Sequence, residues 1–174
     1  GDAITTGSCN IAIGFGSLTT NVIGTSNVAI GRDTLASSTV STNVAIGHQT
    51  LQANTTGCCN VGLGYRSFYN NTTGSGNTAS GYQTLFTNTT GASNVAIGCR
   101  ALFANTTASN NTAVGLCSLS ANTTGPDNTA VGLLSLVSNT EGAGNIAVGR
   151  AALATNTTAD KNTVVGTCAA YSTQ

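Results

Sequence analysis

The sequence predicts an all-β fold, a parallel β-solenoid (β-roll) built from coils of 17 residues. Three observations predict it: one motif recurs at a fixed period, its residue types are poor helix formers, and the chain carries little charge. Asn, Thr and Gly make up roughly two fifths of the 174 residues, 6% are charged and the formal net charge is zero. Because mean hydropathy is slightly positive, charge-driven disorder is not expected.

The repeating motif begins with Asn and ends with Gly, and it occurs ten times. Successive copies start 17 residues apart, except for one interval of 16 between Asn27 and Asn43. With each leading Asn as position 0, Gly stands at position 4 in every copy, whereas position 2 is Ala and position 8 is Leu in eight copies each. The predicted scaffold ladder comprises Asn10, Asn27, Asn43, Asn60, Asn77, Asn94, Asn111, Asn128, Asn145 and Asn162 with Gly14, Gly31, Gly47, Gly64, Gly81, Gly98, Gly115, Gly132, Gly149 and Gly166.

Each copy predicts the parts of one coil in order. Residues 27–31 predict a short β-branched strand that ends at a Gly turn; a second short strand follows near Leu35, and Asn-Thr-Thr-Gly forms a corner. A helical repeat would need roughly 30 residues or more. Stacked at about 4.8 Å, ten coils give a rod about 48 Å long. We expect residues 1–174 to be a single repeat domain and a segment of a longer fibre.

Stacking explains the residue types of the scaffold. Buried asparagines in register can hydrogen-bond to one another along the rod. Gly at position 4 either takes a positive φ or lets a neighbouring backbone approach closely.

Both faces of the predicted strand are apolar. Positions 0, 2 and 4 offer small residues for a thin interior closed by the Leu row, whereas positions 1 and 3 offer Val, Ile and Thr. An aliphatic row over ten coils would exceed the few hundred Å² tolerated on a monomer, so we predict a homo-oligomer, most economically a trimer. A monomer with a wider coil and Val/Ile inside is the alternative. The candidate oligomer interface is Ile13, Ile30, Ile46, Leu63, Ile97, Val114, Val131, Val148 and Val165.

Residues 27–31, 43–47 and 94–98 all read Asn-Val-Ala-Ile-Gly, and this unit resembles the head repeat of trimeric autotransporter adhesins. The longer form that closes with Asn-Thr-Thr-Gly is similar to repeats of bacteriophage tail fibres. The resemblance covers nearly the whole chain and implies a left-handed parallel β-roll that assembles as a trimer. It implies surface adhesion by association only. Since the 17-residue period is longer than the family's coil, a segment of a virus fibre or another surface filament stays open.

We expect no catalytic site, no metal, no cofactor and no enzymatic activity. Asp33, Asp127 and Glu141 fall on different coils, and the proximity of His48 to Asp33 on adjacent coils is interpreted as accidental. Five scattered basic residues cannot form a nucleic-acid footprint, and no apolar run approaches the length of a membrane span.

The six cysteines do not predict a disulfide framework. Cys9 and Cys59 lie three coils apart, roughly 14 Å along the axis, beyond the ~7 Å limit for their Cα atoms. Cys99 and Cys117 lie on adjacent coils and are the possible disulfide; free or interchain thiols are the alternative.

Positions 5, 6 and 9 vary while the scaffold repeats, and they hold aromatic side chains and arginines suited to stacking on sugars or docking a protein. The alternative is that they merely cover coil edges. The candidate ligand edge is Tyr65, Arg66, Tyr69, Tyr82, Phe86, Arg100 and Phe103.

These observations favour a structural and adhesive segment of an extracellular, cell-surface or virion-surface fibre. Its expected partners are copies of itself and a surface glycan or protein receptor. An ice-binding solenoid that uses Thr ranks is the alternative function. A fibre-borne polysaccharide-degrading enzyme is the third, although the sequence offers no clustered carboxylates for it.

Overall fold

The computed structural model describes residues 6–171, which form a parallel β-solenoid without any helix. Ten strands make one sheet in chain order, and all neighbours are parallel. Among these residues there is accordingly no apolar helix of membrane-spanning length. The strands are β1 (Ile11–Ile13), β2 (Val28–Ile30), β3 (Val44–Ile46), β4 (Val61–Leu63), β5 (Thr78–Ser80), β6 (Val95–Ile97), β7 (Thr112–Val114), β8 (Thr129–Val131), β9 (Ile146–Val148) and β10 (Thr163–Val165).

Equivalent positions of the motif lie directly above one another. Ala29 pairs with Ala45 across the 16-residue interval just as Ala96 pairs with Ala113 across a 17-residue one. The missing residue falls in the corner, because the Val40 carbonyl accepts the same Asn side-chain bond that Gly57 accepts one coil later. The strand register therefore survives the shorter coil.

Two rows of side chains fill the interior. The position-2 alanines of β2, β3 and β5 to β9 are fully buried, as is the position-8 row from Leu18 to Leu136. Each fully buried Leu contributes about 1.5–3 kcal/mol to the free energy of unfolding. Phe68 occupies the Leu row in the same coil where Gly62 replaces Ala, and a Cβ on Gly62 would lie 3.5 Å from Phe68 Cδ2. The thin interior is thus confirmed, and the wider coil with Val and Ile inside is wrong.

The second strand expected near Leu35 is absent. Leu35 has a φ of +47°, which lies in the left-handed region and not in the β region. Its backbone N–H still donates to the Thr50 carbonyl of the next coil at 3.1 Å. The segment is a run of turns whose backbone N–H groups donate to neighbouring coils. Its sequence resembles that of a strand, but its backbone is not extended.

Every coil bends through left-handed residues at positions 6, 8 and −1. In the coil led by Asn27 the residues at positions 6 and 8 are Asp33 (φ +53°) and Leu35, and Thr42 (φ +65°) is at position −1 of the next motif. A non-glycine residue in this conformation costs roughly 1–2 kcal/mol. The backbone N–H of each points to a neighbouring coil: Asp33 N donates to Phe15 O at 2.8 Å and Thr42 N to Thr25 O at 3.0 Å. Hydrogen bonds between coils therefore offset the local strain.

Gly at position 4 meets both needs that the sequence suggested. The ten glycines have φ between +120° and +138°. A Cβ on Gly31 would also lie only 2.6 Å from the carbonyl oxygen of Gly47. A side chain would both strain the backbone and separate the coils.

Candidate functional site

The leading asparagines form a continuous ladder through the interior edge of the sheet. The backbone N–H of each donates to the side-chain Oδ1 of the leading Asn one coil earlier, at 2.9–3.0 Å. Four side chains add a direct amide-to-amide bond at 2.9–3.2 Å. The predicted amide-to-amide bond therefore forms at four of the nine junctions, while the bond from the backbone N–H to Oδ1 forms at all nine.

A second ladder, which was not expected from the sequence, runs through the Asn of the corner at position 11. Each of these amides donates to the one before it at 2.7–3.1 Å, and all lie in the buried interior. The recurrence of Asn at position 11 was the available signal. The bonded members are Asn54, Asn71, Asn88, Asn105, Asn122, Asn139 and Asn156.

Within residues 6–171, each ladder has one position at which a buried polar side-chain atom has no hydrogen-bond partner. Ser38 stands at position 11 of the 16-residue coil, and its buried hydroxyl has no hydrogen-bond partner. Asn111 Nδ2 is likewise buried without a partner. These defects mark coils whose corners depart from the consensus, because one lacks a residue and the other contains Pro126.

The apolar face is the outward surface formed by positions 1 and 3 of β1 to β10. Along position 3 all nine candidate interface residues share one row in register, interrupted by Ser80. Ile97 is 43% exposed and Val165 70%, while Ile30 and Val114 are half-buried. Leu116 and Leu133 at position 5 are exposed as well. The structure therefore leaves the whole aliphatic row uncovered within one chain.

The aromatic corner consists of the seven candidate ligand-edge residues, and the structure brings them together on three successive coils. Tyr65 and Tyr82 stack with centroids 5.4 Å apart, and Tyr69, Phe86 and Phe103 stack at 5.3 Å. His48 lies edge-on to Tyr65 at 5.4 Å. Because the rings cover one another's faces, their edges and hydroxyl groups offer more contact surface to a ligand than their faces do.

Arg66 and Arg100 lie against these rings. The Arg66 guanidinium carbon lies 5.2 Å from the Tyr65 centroid and 5.3 Å from the Tyr69 centroid, and that of Arg100 lies 4.4 Å from the Phe103 centroid. Arg66 Nε also donates to Gln49 Oε1 at 2.7 Å. Neither arginine has a carboxylate partner, since the one ion pair among residues 6–171 joins Arg32 to Asp33.

Within residues 6–171 the acidic side chains lie on different coils and make separate contacts. Asp33 pairs with Arg32 at 3.3 Å, whereas His48 packs on Tyr65, so the two do not form a dyad. Asp127 accepts a hydrogen bond from Asn110 Nδ2 at 3.0 Å, and Glu141 is exposed. Within the described range, no three His, Cys, Asp or Glu side chains are grouped closely enough to hold a metal ion.

Cys99 and Cys117 are free thiols in the structure, with the Cys117 N–H donating to the Cys99 carbonyl at 2.9 Å. The disulfide between them stays a prediction. Cys58 and Cys59 have their sulfur atoms 3.4 Å apart, and Thr42 Oγ1 lies 3.4 Å from the Cys59 sulfur. Hydrogen bonds with Thr42 and then Cys58 lower the pKa of the exposed Cys59 thiol.

Two Thr ranks line the corners and differ in what their hydroxyls do. At position 12 the hydroxyls from Thr55 to Thr140 donate to the next coil's Thr carbonyl at 3.0–3.1 Å. At position 13 the side chains are exposed and, within residues 6–171, their hydroxyls form no hydrogen bond with the protein. This outer rank is Thr56, Thr73, Thr90, Thr107, Thr124 and Thr158, with Glu141 in the remaining place.

Comparison with known proteins returns no family model, no curated protein and no solved structure that matches this chain. The resemblance to autotransporter heads and tail fibres therefore rests on the repeat motif alone.

Proposed function

We propose that this chain is a structural and adhesive segment of an extracellular or virion-surface fibre. Three left-handed solenoids would pack around a common axis, and the stiff rod would present its variable edge to a surface. The mechanism is mechanical: intercoil backbone bonds and two Asn ladders hold the coils in register, so that the rod resists bending and local opening.

The exposed apolar face carries this proposal. Its two rows run over ten strands, and seven of the nine position-3 residues proposed for the interface are at least 36% exposed. A surface of that length is unfavourable in water and typical of an interface, because most of its side chains are aliphatic, with Ser80 and the four threonines of position 1 as the exceptions. A second copy is the occupant we favour, because identical coils repeat the same spacing and can match it strand for strand.

Equilibrium sedimentation tests the assembly. We expect a mass three times the 17.1 kDa of one chain. Replacing Ile46, Ile97 and Val131 together by Lys should give monomers, because each exposed side chain would place a charge in the interface.

The matched control places the same three charges on the outer Thr rank, as Thr73→Lys, Thr90→Lys and Thr107→Lys. This variant should remain trimeric. A wild-type monomer would refute the burial argument, and a stable dimer would refute threefold packing.

Ice binding is the second candidate function, and the outer Thr rank favours it. Its hydroxyls are exposed and repeat at the coil spacing of about 4.8 Å, which can order water at a surface. The inner rank does not add a second row of free donors, since its hydroxyls bond to the backbone. A single rank at a turn is a narrower surface than the apolar face.

Thermal hysteresis decides between the two functions. The fibre proposal expects no arrest of ice growth at micromolar concentration. Clear arrest that disappears in the Thr73→Lys, Thr90→Lys and Thr107→Lys variant would favour ice binding instead.

A further inference from the structure

We propose that the aromatic corner binds an anionic polysaccharide, one with a carboxylate or sulfate on alternate sugars, laid along the rod axis. The inference rests on the proposed adhesive function, because it specifies the class of receptor that the variable edge would recognise. It is carried by the charge distribution, by the placement of two arginines and by the neutral side chains between them.

The three coils of the aromatic corner carry two positive charges and contain no acidic residue. No Asp or Glu occurs between Asp33 and Asp127, although that stretch contains Arg66 and Arg100. The nearest acid on this rank is Asp33, which also holds position 6, two coils before Arg66 and about 10 Å from it along the axis. Asp33 is already paired with Arg32 at 3.3 Å, and screening weakens the attraction between exposed charges at a separation of about 10 Å. The two guanidinium groups are free to pair with an anion that is not part of the chain.

Neighbouring side chains hold the two guanidinium groups in place. Arg66 lies between the Tyr65 and Tyr69 rings and donates through Nε to Gln49, so its terminal nitrogen atoms have no partner among residues 6–171. Arg100 rests on Phe103 at 4.4 Å. Rings restrict the side-chain rotamers before a ligand arrives, which reduces the entropy lost on binding. A carboxylate or sulfate can then accept paired hydrogen bonds from a guanidinium edge.

The two arginines are separated by a regular spacing along the rod. Arg66 and Arg100 both occupy position 6 and are two coils apart, which places them about 10 Å from each other along the axis. Gln49 and Gln83 hold position 6 of the alternate coils, so this rank reads Gln, Arg, Gln, Arg. An extended polymer that is charged at every second unit matches this alternation of charged and neutral donors.

The neutral side chains favour a glycan over a nucleic acid. Gln83, His48 and the phenol groups of Tyr65 and Tyr82 can donate to or accept from sugar hydroxyls. A nucleic acid carries a phosphate at every nucleotide and is bound mainly through several Lys or Arg contacts. Two arginines and no lysine between Asp33 and Asp127 are too few for that.

The test measures binding of the whole chain to four immobilised probes at low salt. Hyaluronan supplies carboxylates, keratan sulfate supplies sulfates, dextran is neutral, and a single-stranded DNA oligonucleotide supplies phosphates. We expect binding to hyaluronan or keratan sulfate, none to dextran, and the glycan preferred over DNA. Preference for one of the two anionic glycans identifies the anion.

The variant Arg66→Gln with Arg100→Gln should reduce that affinity at least about tenfold, because charged hydrogen bonds are lost. Gln is the residue already present at this position in the neighbouring coils, so the fold should be kept. Arg150→Gln is the matched control, as an exposed arginine away from the aromatic corner, and it should bind like wild type.

Four results would overturn the inference. These are binding to dextran as strong as to the anionic glycans, a preference for DNA, an unchanged affinity of the double variant, and no binding to either anionic glycan. Sedimentation of the same samples distinguishes failure of the glycan-binding inference from failure of the proposed fibre function. A trimer that binds no anionic glycan leaves the fibre proposal standing and refutes the ligand; a monomer refutes the assembly whatever it binds.

Discussion

At the scale of single residues, Asn88 shows why one amino acid type can repeat through a buried ladder. Its Nδ2 donates to Asn71 Oδ1 at 2.8 Å and to the Gly91 carbonyl at 3.0 Å, while its Oδ1 accepts from Asn105 at 2.8 Å. A carboxamide is both donor and acceptor, so identical neighbours satisfy one another. Asp could not repeat in this way, because stacked carboxylates repel and lack donors. Each orphaned buried group would cost about 1–3 kcal/mol.

Cys59 provides a pH-dependent prediction at the same scale. The thiolate is the nucleophile, and hydrogen bonding from Thr42 and Cys58 lowers the pKa of the Cys59 thiol. Thr42→Val removes the hydroxyl and should raise this pKa. The alkylation rate of Cys59 by iodoacetamide, followed by peptide mass spectrometry across pH, should then have its midpoint at higher pH than in wild type.

Thr73→Val serves as the control for Cys59, since Thr73 is exposed at position 13 and is not among the hydrogen-bond partners of the Cys59 sulfur, which are Thr42 and Cys58. Its alkylation profile should coincide with that of wild type. An unchanged midpoint in Thr42→Val would mean that the hydroxyl does not stabilise the thiolate.

At the scale of the structural element, the turns determine the shape of each coil. Position −1 is left-handed in every copy, and Gly occupies it in two of them, as Gly76 and Gly144. Ser93 has the same role with φ +57° and an exposed side chain. We predict that Ser93→Gly raises the free energy of unfolding by about 0.5–1 kcal/mol, because relief of strain exceeds the added entropy of the unfolded chain. Denaturant titration measures it.

Ser109→Gly is the control: it makes the same Ser-to-Gly substitution at a position where the free energy of unfolding should fall and not rise. Ser109 does not have a positive φ, and its hydroxyl accepts the Ala92 N–H at 3.0 Å. This substitution should lower the free energy of unfolding. Stabilisation by both changes would show that backbone conformation is not the cause.

The sequence predicts some elements better than others for a physical reason. Residue type predicts the strands, the buried Ala and Leu rows and the leading Asn ladder. Because the repeats stack in register, each position of the motif has the same environment in every coil. The turns do not follow, since Leu35 and Thr42 take left-handed conformations that their side chains disfavour locally. Intercoil bonds impose those conformations, and a single repeat does not reveal them. The grouping of the aromatic corner was predictable from the period, but the stacking of its rings was not.

At the scale of the whole molecule, equivalence between coils makes length adjustable. Deleting residues 111–127 joins Asn110 to Asn128 and removes one 17-residue unit, including the unpartnered Asn111 amide and Pro126. Every row remains continuous across the junction. We predict a cooperatively folded chain with a Tm slightly below that of wild type, because stability in stacked repeats is nearly additive. Circular dichroism during heating measures it.

Deleting residues 111–118 removes about half a coil and is the corresponding control. It would place turn residues above strand residues and break both Asn ladders, so the cooperative transition should be lost. If the two deletion variants melt alike, stability does not depend on the register between stacked coils.

The Asn ladders also give the rod a direction. Within residues 6–171, every hydrogen bond that joins one ladder asparagine to another is donated toward the preceding coil, so a ladder cut between two coils has oxygen acceptors on one side of the cut and N–H donors on the other. Two rods meeting end to end could join their ladders only head to tail, because opposed ends of the same kind would place oxygen against oxygen. Any filament built by axial stacking of such rods would be polar, with chemically distinct growing tips.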